Sequence, residues 1–235
     1  MIVQSKLLQN ISNIEHGFTS NKISAADFAK IKLATYSAKQ VHKNILAWQE
    51  NAANAPGVEA DAIATQTAEK QVGVYTADCT PILIAATHKN RAVGVLAIHA
   101  GWRGTALKIA QKTLSEFILE VRKNNSIDAL TIAVGPTIRK EAFEVGEEVV
   151  AAFPEAEKLG LATFLRVEND QKKFLFNLPA ENIRQLKEAA ENAQLPYTID
   201  DLKICTFTQS NNFPSFRKHR EKAGRLLAFI RLTCY

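Results

Sequence analysis

The chain has 235 residues, 46% of them hydrophobic, with 29 Lys+Arg against 24 Asp+Glu and a formal net charge of +5. That size and apolar content suffice for a full globular core. No apolar run approaches the ~20 residues of a membrane helix, and Met1 to Asn10 lacks the apolar stretch of a secretory signal, so neither a membrane partner nor export is expected.

Along the chain, Val72 to Tyr75, Ile82 to Ala86 and Ala92 to Ile98 are β-branched and consecutively apolar, which predicts strands buried on both faces. A single helix is expected over Thr105 to Lys123, where Leu107, Ala110, Leu114, Phe117, Ile118 and Val121 recur at spacings of three and four. Leu130 to Val134 follows as a strand ended by Gly135-Pro136. A short helix is expected over Gly146 to Phe153, stopped by Pro154. Lys172 to Phe176 reads as a strand. Pro179 then opens a helix reaching about Asn192, at a position where its missing N–H costs nothing. Leu202 to Phe207 and Leu226 to Leu232 are the last predicted strands. The pattern supports mixed α and β without a Rossmann rhythm, and neither GxGxxG nor GxxxxGK[ST] occurs. No linker or repeat divides the chain, so one domain over 1–235 is expected. Cys79, Cys205 and Cys234 share no short spacing, which argues against disulfides and for a cytoplasmic setting. The oligomeric state is left open.

The chemistry concentrates in Gln40-Val41-His42, Thr76-Ala77-Asp78-Cys79-Thr80-Pro81 and His99-Ala100-Gly101-Trp102-Arg103-Gly104. These supply two imidazoles and a thiol, the ligand set of an open Zn²⁺ site with a free position for water or substrate. Cys79 lies 37 residues after His42, and His99 lies 20 after Cys79. Such spacings are too long for a zinc finger and suit a site built where strands end. Cys79 and His99 have a second reading, as a thiol nucleophile and its base. Asp78 and Asp61 are candidates to orient a ligand or a water, or else to cap turns. Arg103 follows a glycine turn and carries a guanidinium fork suited to phosphate. Arg217 belongs to the densest basic cluster, Arg217-Lys218-His219-Arg220, which fits a small anion better than nucleic acid. His88 sits in a polar turn and is expected to be solvated.

These motifs, with His16-Gly17-Phe18-Thr19, Ala60-Asp61-Ala62, Gly135-Pro136, Phe143-Glu144-Val145-Gly146, Cys205-Thr206, Phe213-Pro214-Ser215-Phe216-Arg217-Lys218 and Gly224-Arg225, resemble the multicopper polyphenol oxidase (laccase-like) family. Its YfiH-like members are described as purine nucleoside phosphorylases with associated deaminase activity. The resemblance implies an α+β fold with two mixed sheets stacked face to face and helices outside. It implies zinc on His42, Cys79 and His99, and action on adenosine, inosine, guanosine or methylthioadenosine with phosphate. Under this reading Cys79, His99 and Asp78 are the catalytic candidates. Arg103 and Arg217 would hold phosphate, Trp102 would stack on the purine, and His16 would lie near the site. Roles for Asp61, Lys218 and Arg225 stay open. Some relatives are described as amidases that edit a muramyl-serine peptidoglycan precursor, which suits the thiol reading. Copper oxidase chemistry fits poorly, because a laccase needs many histidines and the chain has five. Two departures stand out: no cysteine follows Gly135-Pro136, and the late motif reads Arg217-Lys218-His219-Arg220 where two arginines and an acidic residue are usual.

Overall fold

The computed structural model describes residues 1–49 and 57–234. A six-stranded mixed sheet runs in the order Tyr197–Asp201, Ala129–Val134, Thr80–His88, Arg91–Ala100, Ala62–Thr65, Leu46–Trp48. A five-stranded mixed sheet lies against it in the order Ile2–Val3, Ile14–Thr19, Leu226–Leu232, Gln71–Thr76, Thr35–Tyr36. The consecutive apolar residues of the central strands are explained by burial on both faces. Ile82, Ile84, Ala86, Leu96 and Ile98 pack toward the helices Ile109–Val121 and Leu178–Asn192. The alternate residues Leu83, Ala85, Val95 and Ala97 pack on Phe18, Val72, Val74, Ala228 and Ile230 of the other sheet. The expected α+β sandwich with outer helices is therefore present.

The two longest central strands form one hairpin, closed at Lys89 (φ 49°) and Asn90 (φ 64°). Left-handed backbone at both positions matches the twist that a tight hairpin turn requires. The helix at Leu178 starts as its proline predicts, with the Asn177 side chain accepting the Ala180 N–H at 3.2 Å.

Three expectations are corrected. The stretch Thr105 to Lys123 is two helices, Trp102–Ala106 and Ile109–Val121, separated at left-handed Lys108 (φ 59°). The Thr105 and Leu107 carbonyls accept side-chain N–H groups from Gln185 and Asn44 at 2.8 and 2.7 Å, and Leu107 turns outward. Leu202 to Phe207 is not a strand. The ladder ends at Asp201, whose carboxylate accepts the Lys203 N–H, and beyond it only a Thr137–Cys205 bridge remains. A third, three-stranded sheet joins Glu144–Gly146, Gln171–Phe176 and Ala162–Glu168, of which the sequence indicated only the middle strand. Its Phe174 and Phe176 pack with Val145, Val149 and Phe153 in a satellite core that also touches Trp102 and Phe143.

Candidate functional site

The hairpin ladder pairs Pro81 with His99 and Thr80 with Ala100, so Cys79 and His99 leave the sheet side by side. Asp78, with φ 82°, makes the sharp turn that presents the thiol. His42 arrives on a separate loop and is itself left-handed (φ 58°). Among the described residues, His42, Cys79 and His99 bring one donor atom each to within 4.8 Å of one another.

Asp61 is what joins the two histidines. Its fully buried carboxylate accepts the successive N–H groups of Val41, His42 and Lys43 at 3.2, 3.0 and 2.9 Å. Three adjacent amides aimed at one carboxylate form an anion nest that fixes the His42 loop. The same carboxylate accepts His99 Nδ1–H at 2.8 Å, and the Asp61 carbonyl accepts the His99 N–H at 2.7 Å. Nδ1 is thereby occupied by Asp61, which leaves Nε2 as the ring nitrogen available to Cys79 or, once deprotonated, to a metal. The sequence made Asp78 the catalytic candidate and left the role of Asp61 open; in the structure it is Asp61 that bonds to His99 and to the His42 loop.

The electrostatics follow from this packing. Burial alone would raise the Cys79 thiol, but the His99 charge and hydrogen bonds from His42 and His99 pull it well below the usual thiol range. Burial alone would lower His99, but the Cys79 charge and the Asp61 hydrogen bond raise it. Burial would likewise raise the Asp61 carboxyl, yet its bonds to His99 and to the Lys43 and His42 amides hold it low.

The donor set fits a tetrahedral Zn²⁺ with one open position. A side chain on Gly101 would stand 3.0 Å from Cys79 Sγ, 3.2 Å from His42 Cδ2 and 3.8 Å from His99 Nε2. Glycine there leaves the space between the three donors clear.

Two hollows meet at Cys79, sharing Ala77, Cys79 and Phe216. The larger, about 480 Å³, is lined by His42, His99, Gln40, Tyr75, Thr76 and Arg225. The smaller, about 190 Å³, is walled by Trp102, Ile138, Phe143 and Leu178, with Arg217 and Arg220. Trp102 and Arg217 are thus brought to the site. Arg103 is exposed, and its guanidinium stacks over the Trp102 ring at 4.3 Å, outside both linings. Lys218 reaches over Phe207 at 5.7 Å.

Asp78 does not orient the donors. Its Oδ1 accepts Thr206 Oγ1–H at 2.6 Å, and its Oδ2 accepts the Ser215 hydroxyl at 3.1 Å and the Arg217 N–H at 2.6 Å. With both oxygens committed, it ties the segment carrying Phe216 and Arg217 to the strand end carrying Cys79. His16 is also elsewhere, in the strand Ile14–Thr19, its Nε2 accepting the Ser5 N–H at 2.9 Å. Burial pushes His16 down to about 4, and a ring nitrogen that accepts an amide must be bare.

A folded His16 that stays neutral binds fewer protons than the unfolded chain between about pH 6.5 and 4. Its stabilisation is complete above 6.5 and lost as pH falls, amounting to about 3 kcal/mol at ~1.4 kcal/mol per unit. His16→Gln should flatten the acid limb of Tm against pH. Parallel limbs in mutant and wild type would show that other groups set it.

The sequence pointed to the three donors, Trp102 and Arg217. Phe143 and Phe216 were seen only as motif letters, and Arg220 only as part of a charge cluster. The left-handed turns that aim Cys79 and His42 had no local signal such as glycine.

Known proteins place the chain. It is 30% identical over 219 residues to a purine nucleoside phosphorylase of Clostridium acetobutylicum, covering 93% of this chain and 84% of that one. It is 35% identical over 183 residues to a purine nucleoside phosphorylase of Deinococcus radiodurans (77% and 64%). Over 97 residues it is 40% identical to adenosine deaminase RL5 from an unknown prokaryote (41% and 34%). In fold it resembles the Neisseria meningitidis protein NMB0706, with TM-score 0.78, 22% identity and 99% of both chains covered. YlmD of Geobacillus stearothermophilus gives TM-score 0.74 at 22% identity, covering 96% and 94%. Residues 13–233 match the family described as multi-copper polyphenol oxidoreductase laccase, and the chain belongs to it.

Proposed function

We propose that this protein is a zinc-dependent purine nucleoside enzyme that cleaves adenosine-, inosine- and guanosine-type nucleosides, and methylthioadenosine, with phosphate, and that also deaminates adenosine. The observation that carries this reading is the convergence of His42, Cys79 and His99 on a hollow of about 480 Å³, within the usual size of small-molecule sites. The names of the phosphorylase and deaminase relatives supply the substrate class.

His42, Cys79 and His99 would hold Zn²⁺, which when bound supplies Lewis acidity beside the substrate. The chain's own residues do the rest. Asp61 keeps His99 Nε2 and the His42 loop aimed at the centre. Trp102, Phe143 and Phe216 give aromatic surface for a base or sugar face in the smaller hollow. Arg217, anchored through its N–H to Asp78, offers its guanidinium to an anion.

The test is base release and ammonia release from each nucleoside, with and without phosphate, using zinc-loaded protein. Phosphate-dependent free base together with inosine from adenosine is the expected result, and neither product under any condition would refute the reading. The lowered Cys79 thiol beside a raised His99 favours one competing reading, a cysteine-dependent amidase acting on a muramyl-serine precursor. That activity would survive chelation, whereas nucleoside cleavage would not. Polyphenol oxidation by copper lacks its donors, since only two of the chain's five histidines join this cluster.

A further inference from the structure

Four arginines elsewhere on this protein face carboxylates: Arg139 pairs with Asp201, Arg166 with Glu144, Arg184 with Glu181, and Arg231 with Glu15 and Glu69, while Arg122 donates to the Ala193 carbonyl and Arg103 stacks on Trp102. The arginines at the two hollows do not. Arg217 donates to the Glu144 carbonyl and Arg225 to the Ala223 and Gly224 carbonyls. Among the described residues, the Arg220 guanidinium has no hydrogen-bond or ion-pair partner. Its backbone, by contrast, is pinned. The Arg220 N–H donates to the Phe216 carbonyl, and its own carbonyl accepts the Ala223 N–H at 2.9 Å. The residue sits at φ 52°, ψ −132°, a region that glycine tolerates and a side chain does not.

Arg220 and Arg217 line the same hollow of about 190 Å³ beside Cys79, among Trp102, Ile138, Phe143, Leu178 and Phe216. The acid in that lining, Asp78, has both oxygens bonded to Thr206, Ser215 and the Arg217 N–H. Those donors are neutral and cancel none of the Asp78 charge. The two guanidinium groups nonetheless outnumber that one carboxylate, and among the described residues neither is ion-paired. The exposed Arg220 can swing its fork onto an anion held by Arg217. We infer that Arg217 and Arg220 form a paired-guanidinium subsite for a tetrahedral oxyanion of the phosphate class, with Arg220 as the second fork in place of Arg103. The identity of that anion as a co-substrate rests on the phosphorolysis reading; the subsite itself does not.

Calorimetric titration of inorganic phosphate into the zinc-loaded full chain tests the subsite without any turnover. Arg220→Ala should weaken phosphate binding about tenfold or more, as for loss of one charge-assisted contact. Arg220→Lys should recover little, since it keeps the charge and loses the fork. Arg220→Gly relieves the backbone and should melt no lower than wild type while binding as weakly as Ala, which separates loss of the guanidinium from loss of fold. In turnover assays the KM for phosphate should rise about tenfold, with the nucleoside KM and the kcat at saturating phosphate little changed. Wild-type affinity in Arg220→Ala, or no binding to wild type at millimolar phosphate, overturns the subsite. Arg220-dependent phosphate binding without nucleoside cleavage would keep the subsite and sink the phosphorylase reading. Phosphorolysis with a KM indifferent to Arg220 would do the reverse.

Discussion

Cys79→Ala and His99→Ala should each drop bound zinc from about one ion per chain to near zero and reduce nucleoside turnover by about 10³-fold or more. The magnitude follows from losing a Lewis acid worth several kcal/mol at the reacting centre, at ~1.4 kcal/mol per tenfold. His42→Ala should lower zinc affinity while retaining part of it, because the two strand-borne donors remain and the lost one is exposed. Cys79 is only half-buried, so its truncation should leave the melting temperature of the metal-free protein nearly unchanged, whereas zinc should raise the melting temperature of wild type alone. Metal analysis of protein purified without added metal, beside steady-state rates, reads both effects. Full activity after exhaustive chelation, with Cys79 still indispensable, would assign the thiol as nucleophile and end the zinc reading.

Asp61→Ala should be the most damaging change outside the donors. Removing the carboxylate strands the Val41, His42 and Lys43 N–H groups and frees His99 Nδ1. At ~1–3 kcal/mol for the buried His99 donor left without a partner, and less for the part-buried amides that water can reach, unfolding free energy should fall by about 2–4 kcal/mol. Asp61→Asn keeps the shape but turns an N–H₂ toward groups that are all donors. It should lower zinc affinity or turnover by ~10–100-fold, the usual effect of disturbing a group that orients a metal ligand. Denaturant melts and zinc competition with a chromogenic chelator measure the two. Wild-type affinity and stability in Asp61→Asn would reduce Asp61 to a turn former.

The contrast between Asp61 and Asp78 shows how far the sequence could be read. Both are acids beside short apolar motifs, and nothing local says which way each carboxylate points. Asp78 adjoins Cys79 in the chain, yet its left-handed turn sends the carboxylate to Thr206 and Ser215. Asp61, distant in sequence from every donor, meets His99 across neighbouring strands. The strands themselves were legible because burial on both faces leaves an unbroken apolar run. The break at Lys108 was not, since it depends on side chains of Gln185 and Asn44 taking helix carbonyls. The position of the Arg103 side chain was not legible for a similar reason. Its glycine turn suggested an anion, but its nearest π surface is its own neighbour, Trp102.

The hairpin that pairs Pro81 with His99 has a consequence for how the protein folds. Cys79 and His99 become neighbours through a local antiparallel ladder closed by Lys89-Asn90, whereas His42 must be recruited from outside that ladder. Hairpins of this kind zip within about 1–10 μs in isolation, and contacts between distant segments wait on the closure of longer loops. Two of the three donors are therefore juxtaposed as soon as the central hairpin registers. The site becomes complete only when Asp61 captures the amides around His42. The expected assembly order thus runs against chain order, because Asp61 must first close 38 residues onto His99. Protection of the Val41, His42 and Lys43 amides appearing no later than that of the hairpin would contradict it.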